Sequence, residues 1–156
     1  MRHRGLVALA SAGIAASCST AREAPLRTTM FALRPDAWEN VPTPDAPVSR
    51  LTQVCMRVPG AELAVAPDQV ASGVRFPRGA PGTTPVTVAA RLVDVAGART
   101  PLDVVDYDTV PGGARVCLGR WYAPDVRYRA VELQASAPLT VDALLWRADP
   151  RTKLGF

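Results

Sequence analysis

The residues best suited to chemistry are aromatic rings and guanidinium groups that the sequence concentrates within ten positions. They are Arg120, Trp121, Tyr122, Arg127, Tyr128 and Arg129. Aromatic faces stack on sugar rings, and guanidinium groups bind the carboxylates of acidic glycans. The pattern therefore predicts a glycan-binding site in a turn region. The alternative is that Trp121 packs against the edge of the fold and the arginines are solvated.

Two further tryptophans are candidates for ligand contact. In an unbroken strand, Trp146 shares a face with Leu144, Asp142 and Thr140. We expect this mixed face to point outward and to make Trp146 a partly exposed platform for a ligand. An ordinary position at the rim of the core is the alternative. Trp38 stands among the four prolines of residues 34–49. We expect it to plug one end of the fold.

Carboxylates cluster near Tyr107. Asp106 and Asp108 flank this residue, Asp103 precedes it, and such oxygen ligands suit Ca²⁺. The spacing does not match an EF-hand loop, and strict alternation places Asp103 on the opposite strand face from the other two. Solvated charges along a strand edge are the favoured interpretation, with Asp106 and Asp108 as the calcium candidates.

Catalytic motifs are absent from the sequence. The single histidine, His3, lies in the leader described below, which excludes Ser-His-Asp catalysis, Cys-His catalysis and His-ligated zinc from the mature protein. There is no Gly-x-Ser-x-Gly motif and no phosphate-binding glycine-rich loop, and Lys153 is the only lysine. We expect no enzymatic activity and no cofactor. A hydrolase that uses Asp103 or Asp106 is the least favoured alternative.

Residues 1–17 have the form of a secretory signal peptide. Two arginines precede an apolar run from Gly5 to Ser17, which is shorter than the roughly 20 residues of a membrane-spanning helix. The next motif, Ala15-Ala16-Ser17-Cys18, resembles the lipobox of bacterial lipoproteins. This resemblance implies acylation of Cys18, and Ser19 resembles an outer-membrane sorting signal. Cleavage at the same bond without acylation, which gives a soluble secreted or periplasmic protein, is the alternative.

The charge balance argues against nucleic acid as a partner. The full chain has a net charge of +4, and loss of Arg2 and Arg4 with the leader leaves 16 basic and 14 acidic residues. A mature charge of +2 is too small for a nucleic-acid footprint. The expected partners are instead the membrane, through the lipid on Cys18, and a glycan or an envelope protein.

The three cysteines fit an exported protein. If Cys18 carries lipid, Cys55 and Cys117 remain as a pair, and each lies within a strand-like run. A disulfide between neighbouring strands or across two sheets is therefore expected, and it would stabilise the fold by about 4 kcal/mol in the chain-entropy model. Two buried free thiols are the alternative. No Cys-x-x-Cys motif points to a metal.

From residue 28 onward the chain has the pattern of strands and turns. With 15 Pro and 11 Gly, no long amphipathic helix is expected, and residues 18–27 are predicted to form a polar tether. Residues 34–49 are predicted to form a short turn and an extended loop. The expected strands cover residues 28–33, 51–58, 61–66, 70–76, 86–95, 102–107, 114–118, 128–135 and 139–147. This spacing predicts a single antiparallel β-sandwich over residues 28–156. Two of the expected strands alternate clearly, so that one face of each is apolar. These faces hold Val86, Val88, Ala90 and Leu92 in the first strand and Val131, Leu133 and Ala135 in the second.

The segment from Tyr128 to Trp146 predicts a hairpin, with its turn at Ser136-Ala137-Pro138. It resembles the closing hairpin of galactose-binding-like jelly rolls, a strand followed by Pro-Leu-x-Val and an apolar run to an aromatic residue. This resemblance implies a jelly roll, and an immunoglobulin-like sandwich is the alternative.

Together these patterns predict a non-catalytic lipoprotein of the cell envelope, located at the outer membrane, in the periplasm or on the cell surface. Its sandwich is expected to bind a glycan or polysaccharide. The residues expected to contact it are Arg120, Trp121, Tyr122, Arg127 and Trp146. A protein-interaction or assembly subunit of an envelope complex is the alternative function.

Overall fold

The computed structural model describes residues 22–43, 51–65, 71–75, 85–121, 123 and 126–149. Their regular secondary structure is entirely β, which confirms the predicted fold class. The strands are β1 (Arg22–Arg27), β2 (Phe31–Leu33), β3 (Glu39–Pro42), β4 (Leu51–Pro59), β5 (Glu62–Val65), β6 (Ala71–Arg75), β7 (Val88–Asp94), β8 (Arg99–Val110), β9 (Gly113–Trp121), β10 (Tyr128–Ala135), β11 (Leu139–Val141) and β12 (Ala143–Asp149).

Eight of these strands form one antiparallel sheet in the order β1-β12-β4-β9-β8-β7-β10-β3. The long strand β8 belongs to both halves of the sheet, because its residues 99–102 pair with β7 and its residues 103–110 pair with β9. The sheet thus encloses the core as a β-sandwich that is nearly closed into a barrel. Two small antiparallel sheets, β2 with β11 and β5 with β6, complete the described fold.

The core follows the alternation that the sequence predicted. Val88, Ala90 and Leu92 of β7 are buried together, and Val131 and Leu133 of β10 belong to the same hydrophobic cluster. Burial of such aliphatic side chains is the main favourable term in folding. The largest fully buried side chains are Leu33, Met56, Leu92, Leu118, Leu133, Leu139 and Leu144.

The predicted disulfide is present between Cys55 and Cys117. The two residues are direct partners on β4 and β9, with Cα atoms 4.0 Å apart. Both side chains are buried. The bond therefore joins neighbouring strands, which was one of the two arrangements the sequence allowed.

The prediction that residues 128–135 and 139–147 form a hairpin is wrong. Strand β10 pairs with β7 and β3, whereas β12 pairs with β4 and β1. The turn after β10 is bound to β7 instead: the Ser136 amide donates to the Thr87 carbonyl, and the Thr87 amide donates to Ser136 Oγ, both at 2.9 Å. These bonds direct the following residues away from β10, so the likeness to a jelly-roll hairpin is lost.

The predicted tether and proline-rich loop each contain a strand. Residues 22–27 form β1, which pairs with β12, and residues 39–42 form β3, which pairs with β10. Both are edge strands, where the missing amide of Pro25 or Pro42 is tolerated. The prediction of a tether reaching residue 27 is therefore wrong, because a polar, alanine-rich composition does not prevent a segment from pairing at the edge of a sheet.

Candidate functional site

The most distinctive site lies where the eight-stranded sheet fails to close. Strands β1 and β3 end the strand order and lie near each other, and we call the gap between them the seam. Arg27 Nη1 on β1 lies 2.6 Å from Glu39 Oε1 on β3, which makes an ion pair across the seam. The seam is therefore bridged by side chains instead of backbone hydrogen bonds.

A cleft of about 430 Å³ opens at this seam. Its size falls within the range of roughly 300–1,000 Å³ that is typical of small-ligand pockets, and such pockets often lie at the mouths of β-barrels. The described lining residues come from β1, β2, β3 and the turn between β2 and β3. They are Arg27, Phe31, Ala32, Arg34, Ala37 and Glu39.

Arg27 is held in place by two contacts. Its guanidinium carbon lies 4.3 Å from the centroid of the Phe31 ring, in a cation–π contact, while the Glu39 carboxylate binds its edge. The Arg27 and Glu39 side chains remain 34% and 38% exposed, so both are accessible to a ligand. Phe31 is 8% exposed and forms the apolar base beneath them.

The local sequence explains how these side chains reach the cleft. Phe31 and Leu33 are buried, whereas Ala32 between them is exposed, as expected for a strand with one face on the core. The turn that follows is anchored by Gln134 of β10, whose Nε2 donates to the Pro35 carbonyl at 2.6 Å. This bond fixes the segment that carries Arg34 and Ala37.

Trp38 lies between Ala37 and Glu39 in the chain and packs against a charged cluster on the neighbouring strands. Its half-buried ring lies 3.9 Å from the guanidinium carbon of Arg91. Glu132, directly opposite Arg91 in the pairing of β10 with β7, accepts hydrogen bonds from Arg91 Nε and from Arg99 Nε. Trp38 therefore packs on an arginine, and it is not part of the hydrophobic core cluster that the prediction of an end plug implied.

Glu132 carries a carboxylate whose pKa is lowered by its surroundings. Burial raises the pKa of this group, but the hydrogen bonds and positive charges of Arg91 and Arg99 outweigh burial and hold its pKa below the ordinary value. The group therefore stays ionised at neutral pH. A carboxylate of this kind stabilises the arrangement of its arginines and is unsuited to donate a proton as a general acid.

The structure places only part of the predicted aromatic and arginine cluster. Arg120 lies on β9, where its Nη1 donates to the Pro101 carbonyl at 3.3 Å. Arg127 is exposed, and its carbonyl accepts a hydrogen bond from the Val95 amide. The backbone of Trp121 ends β9 opposite Leu51. The Trp121 side chain and all of Tyr122 lie outside the described residues, as does Cys18.

The prediction of an exposed Trp146 is wrong. Its side chain is 2% exposed and packs in the core with Leu144. The error arose from treating residues 139–147 as one strand, whereas a bend at Asp142 separates β11 from β12. The inward face therefore changes from odd to even positions along this segment. Trp146 cannot act as a platform for a ligand.

The prediction that Asp103 lies on the opposite strand face from Asp108 is wrong. Asp103 and Asp108 lie opposite Gly119 and Arg115, so the bulge between Val104 and Asp106 brings these two aspartates onto one strand face. Asp108 forms an ion pair with Arg115 at 2.8 Å, and the Asp106 side chain lies outside the described residues. Within the described ranges, no group of three or more His, Cys, Asp or Glu side chains is arranged to hold a metal.

The sequence pattern did not indicate the residues of the seam. Arg27 lies in the segment predicted as a tether, and Phe31 and Glu39 belong to no motif. The one feature of the sequence that could point to the cleft is the position of Arg27, Arg34 and Trp38 on either side of one short apolar strand. It indicates a site only when β1 and β3 are known to be the two edges of one sheet.

In the part of the chain that the structure describes, no helix is long and apolar enough to cross a membrane. Comparison of the chain with protein-family models, with curated proteins and with solved structures gives no match.

Proposed function

We propose that this protein is a non-catalytic glycan-binding module of the cell envelope, anchored by an acyl chain on Cys18, and that the seam cleft is its binding site. The observation that carries the proposal is the cleft of about 430 Å³ in which Arg27 is fixed above Phe31 and beside Glu39. Sugars combine apolar ring faces with many hydroxyl groups. A cleft with a buried aromatic base and polar walls offers partners for both.

The cleft is supported by strands, which favours binding without rearrangement. Arg27 and Glu39 project from β1 and β3, and the turn that carries Arg34 is bound to β10 through Gln134. Ligand contacts built on strands are held more accurately than contacts on unsupported loops. Such preorganisation lowers the entropic cost of binding.

Binding is favoured over hydrolysis by the number of carboxylates. Most glycosidases use two carboxyl groups about 5–9.5 Å apart, on either side of the scissile bond. Glu39 is the only carboxylate among the described lining residues, and it is paired with Arg27. This arrangement supports recognition of a sugar without cleavage.

The proposed location at the envelope is supported by two features. A disulfide between Cys55 and Cys117 fits an oxidising compartment. In addition, β1 begins at Arg22, and the four peptide bonds that join Cys18 to Arg22 span at most about 14 Å. An acylated Cys18 would thus hold the sandwich against the membrane surface. Secretion without acylation remains the alternative address.

The alternative function, assembly with an envelope protein, has less support. One version of it requires an open sheet edge to which a partner adds a strand. The edge strands β1 and β3 contain Pro25 and Pro42, which lack amide donors and discourage strand addition. The seam is therefore better suited to a small polar ligand than to a partner strand.

Affinity electrophoresis tests the proposal. The purified mature domain is run through native gels that contain bacterial and plant polysaccharides, and at least one of them should retard it. Ala37→Trp, which fills the cleft, should abolish the retardation, whereas Ala96→Trp in the exposed turn after β7 should not. Absence of retardation by every polysaccharide, or equal retardation of both variants, would contradict the proposal.

A further inference from the structure

The charges that line the seam cleft do not balance. Arg27 and Glu39 form an ion pair and neutralise each other. Arg34 is exposed, and among the described residues its side chain forms no ion pair or hydrogen bond. Asp36 is exposed in the same turn but is not one of the described residues that line the cleft. The described lining therefore carries one uncompensated positive charge, on Arg34.

The backbone around Arg34 is held on both sides. Leu33, which precedes it, is fully buried and pairs with Leu139 of β11. Pro35, which follows it, has a restricted φ angle, and its carbonyl accepts a hydrogen bond from Gln134. Arg34 is thus a cation on a fixed support, and it needs little ordering of the backbone to meet a ligand.

A guanidinium group is specialised for anions. Its planar array of N–H donors forms paired hydrogen bonds with a carboxylate or sulfate, and bonds to charged acceptors are about twice as strong as neutral ones. Arg27 already donates a hydrogen bond to the charged carboxylate of Glu39, whereas the guanidinium group of Arg34 is available to a ligand. A neutral sugar would leave the charge of Arg34 unused.

We infer that the ligand of the seam cleft is an acidic glycan whose carboxylate or sulfate group binds Arg34, while Arg27 and Glu39 contact its hydroxyl groups. This inference rests on the proposed glycan-binding function of the same cleft. It identifies the chemical class of the sugar and the residue that selects it. Because the contact is exposed, its strength should fall as salt concentration rises.

Matched polysaccharide pairs test this inference. The probes are hyaluronan and carboxyl-reduced hyaluronan, polygalacturonate and its methyl ester, and chondroitin sulfate and its desulfated form. Titration calorimetry at low and high salt measures the affinity of the mature domain for each. At least one acidic form should bind about tenfold more tightly than its charge-depleted partner. The first two pairs report on carboxylate, and the third reports on sulfate.

Variants assign the preference to a residue. Arg34→Gln should weaken binding of the acidic form about tenfold with little effect on the neutral form, and Arg34→Lys should restore part of the affinity. Arg129→Gln is the matched control, because it removes one exposed positive charge at a distance from the cleft. Arg129 is four residues, or about 13 Å, along β10 from Leu133, the residue that pairs with Glu39. It should bind like the parent protein.

The outcomes separate the two proposals. Equal binding of the acidic and charge-depleted members of every pair would overturn the inference and leave the glycan-binding function intact. An acidic preference that survives in Arg34→Gln would overturn the role of Arg34. Failure of every probe would overturn the inference, and the proposed function would be overturned with it only if no polysaccharide of the gel screen retards the domain.

Discussion

The Arg27 guanidinium and the Glu39 carboxylate meet at 2.6 Å and connect the two edge strands of the eight-stranded sheet. The same arginine covers the ring of Phe31. One side chain thus takes part in bridging the sheet and in shaping the cleft. This double role has a direct consequence for substitutions at the seam.

Glu39→Gln should affect ligand binding more than stability. Because both partners are about one third exposed, loss of their ion pair should cost no more than about 1 kcal/mol in the free energy of unfolding. Glycan affinity should fall more strongly, since Arg27 is no longer held in the cleft. Urea unfolding and a binding isotherm measure the two effects. Asp108→Asn, which removes the exposed pair with Arg115, should leave binding unchanged. A large loss of stability with normal binding would contradict this prediction.

Glu132 should make stability depend on pH. Its pKa is lowered in the folded state, so its stabilising effect is present above its ordinary pKa, near 4.5, and is lost as the pH falls through the lower folded value. Glu132→Gln should therefore lower the free energy of unfolding at pH 7 by about 1–3 kcal/mol, because Arg91 and Arg99 lose a charged partner. The difference from the parent protein should shrink towards pH 3. Urea unfolding at both pH values measures it, and a difference that does not change with pH would exclude this role.

The bond between Cys55 and Cys117 should contribute strongly to stability. The cysteines are 62 residues apart, and the chain-entropy model gives about 4 kcal/mol for a loop of this length. The variant with both cysteines replaced by alanine should unfold at clearly lower urea concentration than the parent protein, and reductant should not change its midpoint. Alkylation of either cysteine in the native, unreduced protein would show that the bond is absent.

Intact mass should reveal processing at Cys18. Protein extracted from membranes of a bacterial host is expected to have the mass of residues 18–156 plus acyl groups, because the lipobox-like motif places cleavage before that cysteine. Cys18→Ser should release an unacylated protein from the membrane fraction. A full-length mass without acyl groups would remove the support for an envelope location.

Local patterns in the sequence predicted much of the sandwich. Alternation along β7 and β10 identified the buried face, and the cysteine pair was found because both residues lie in strand-like runs. The predictions failed where one extra residue, in a bulge or a bend, swaps the strand face on which the following side chains lie. The bulge near Asp106 and the bend at Asp142 each reversed the assignment of faces, which misplaced Asp103 and Trp146.

The sequence pattern does not indicate which distant strands pair with each other. A hairpin after β10 is reasonable by proximity, but Ser136 binds Thr87, and the strands that follow, β11 and β12, pair with β2 and β4. The seam depends on the same kind of information. Nothing local to Arg27 or Glu39 indicates that their strands end the order of the sheet.

The position of the bound glycan shows whether the seam cleft is the binding site. A ¹⁵N-labelled sample of the mature domain is titrated with an oligosaccharide from the best polysaccharide of the gel screen, and amide chemical shifts are followed by NMR. The largest changes should fall on Phe31, Ala32, Arg34, Ala37 and Glu39, and Ala96 and Arg129 should be unaffected. Changes centred on Arg120 and Trp121, with the seam undisturbed, would contradict binding in the seam cleft.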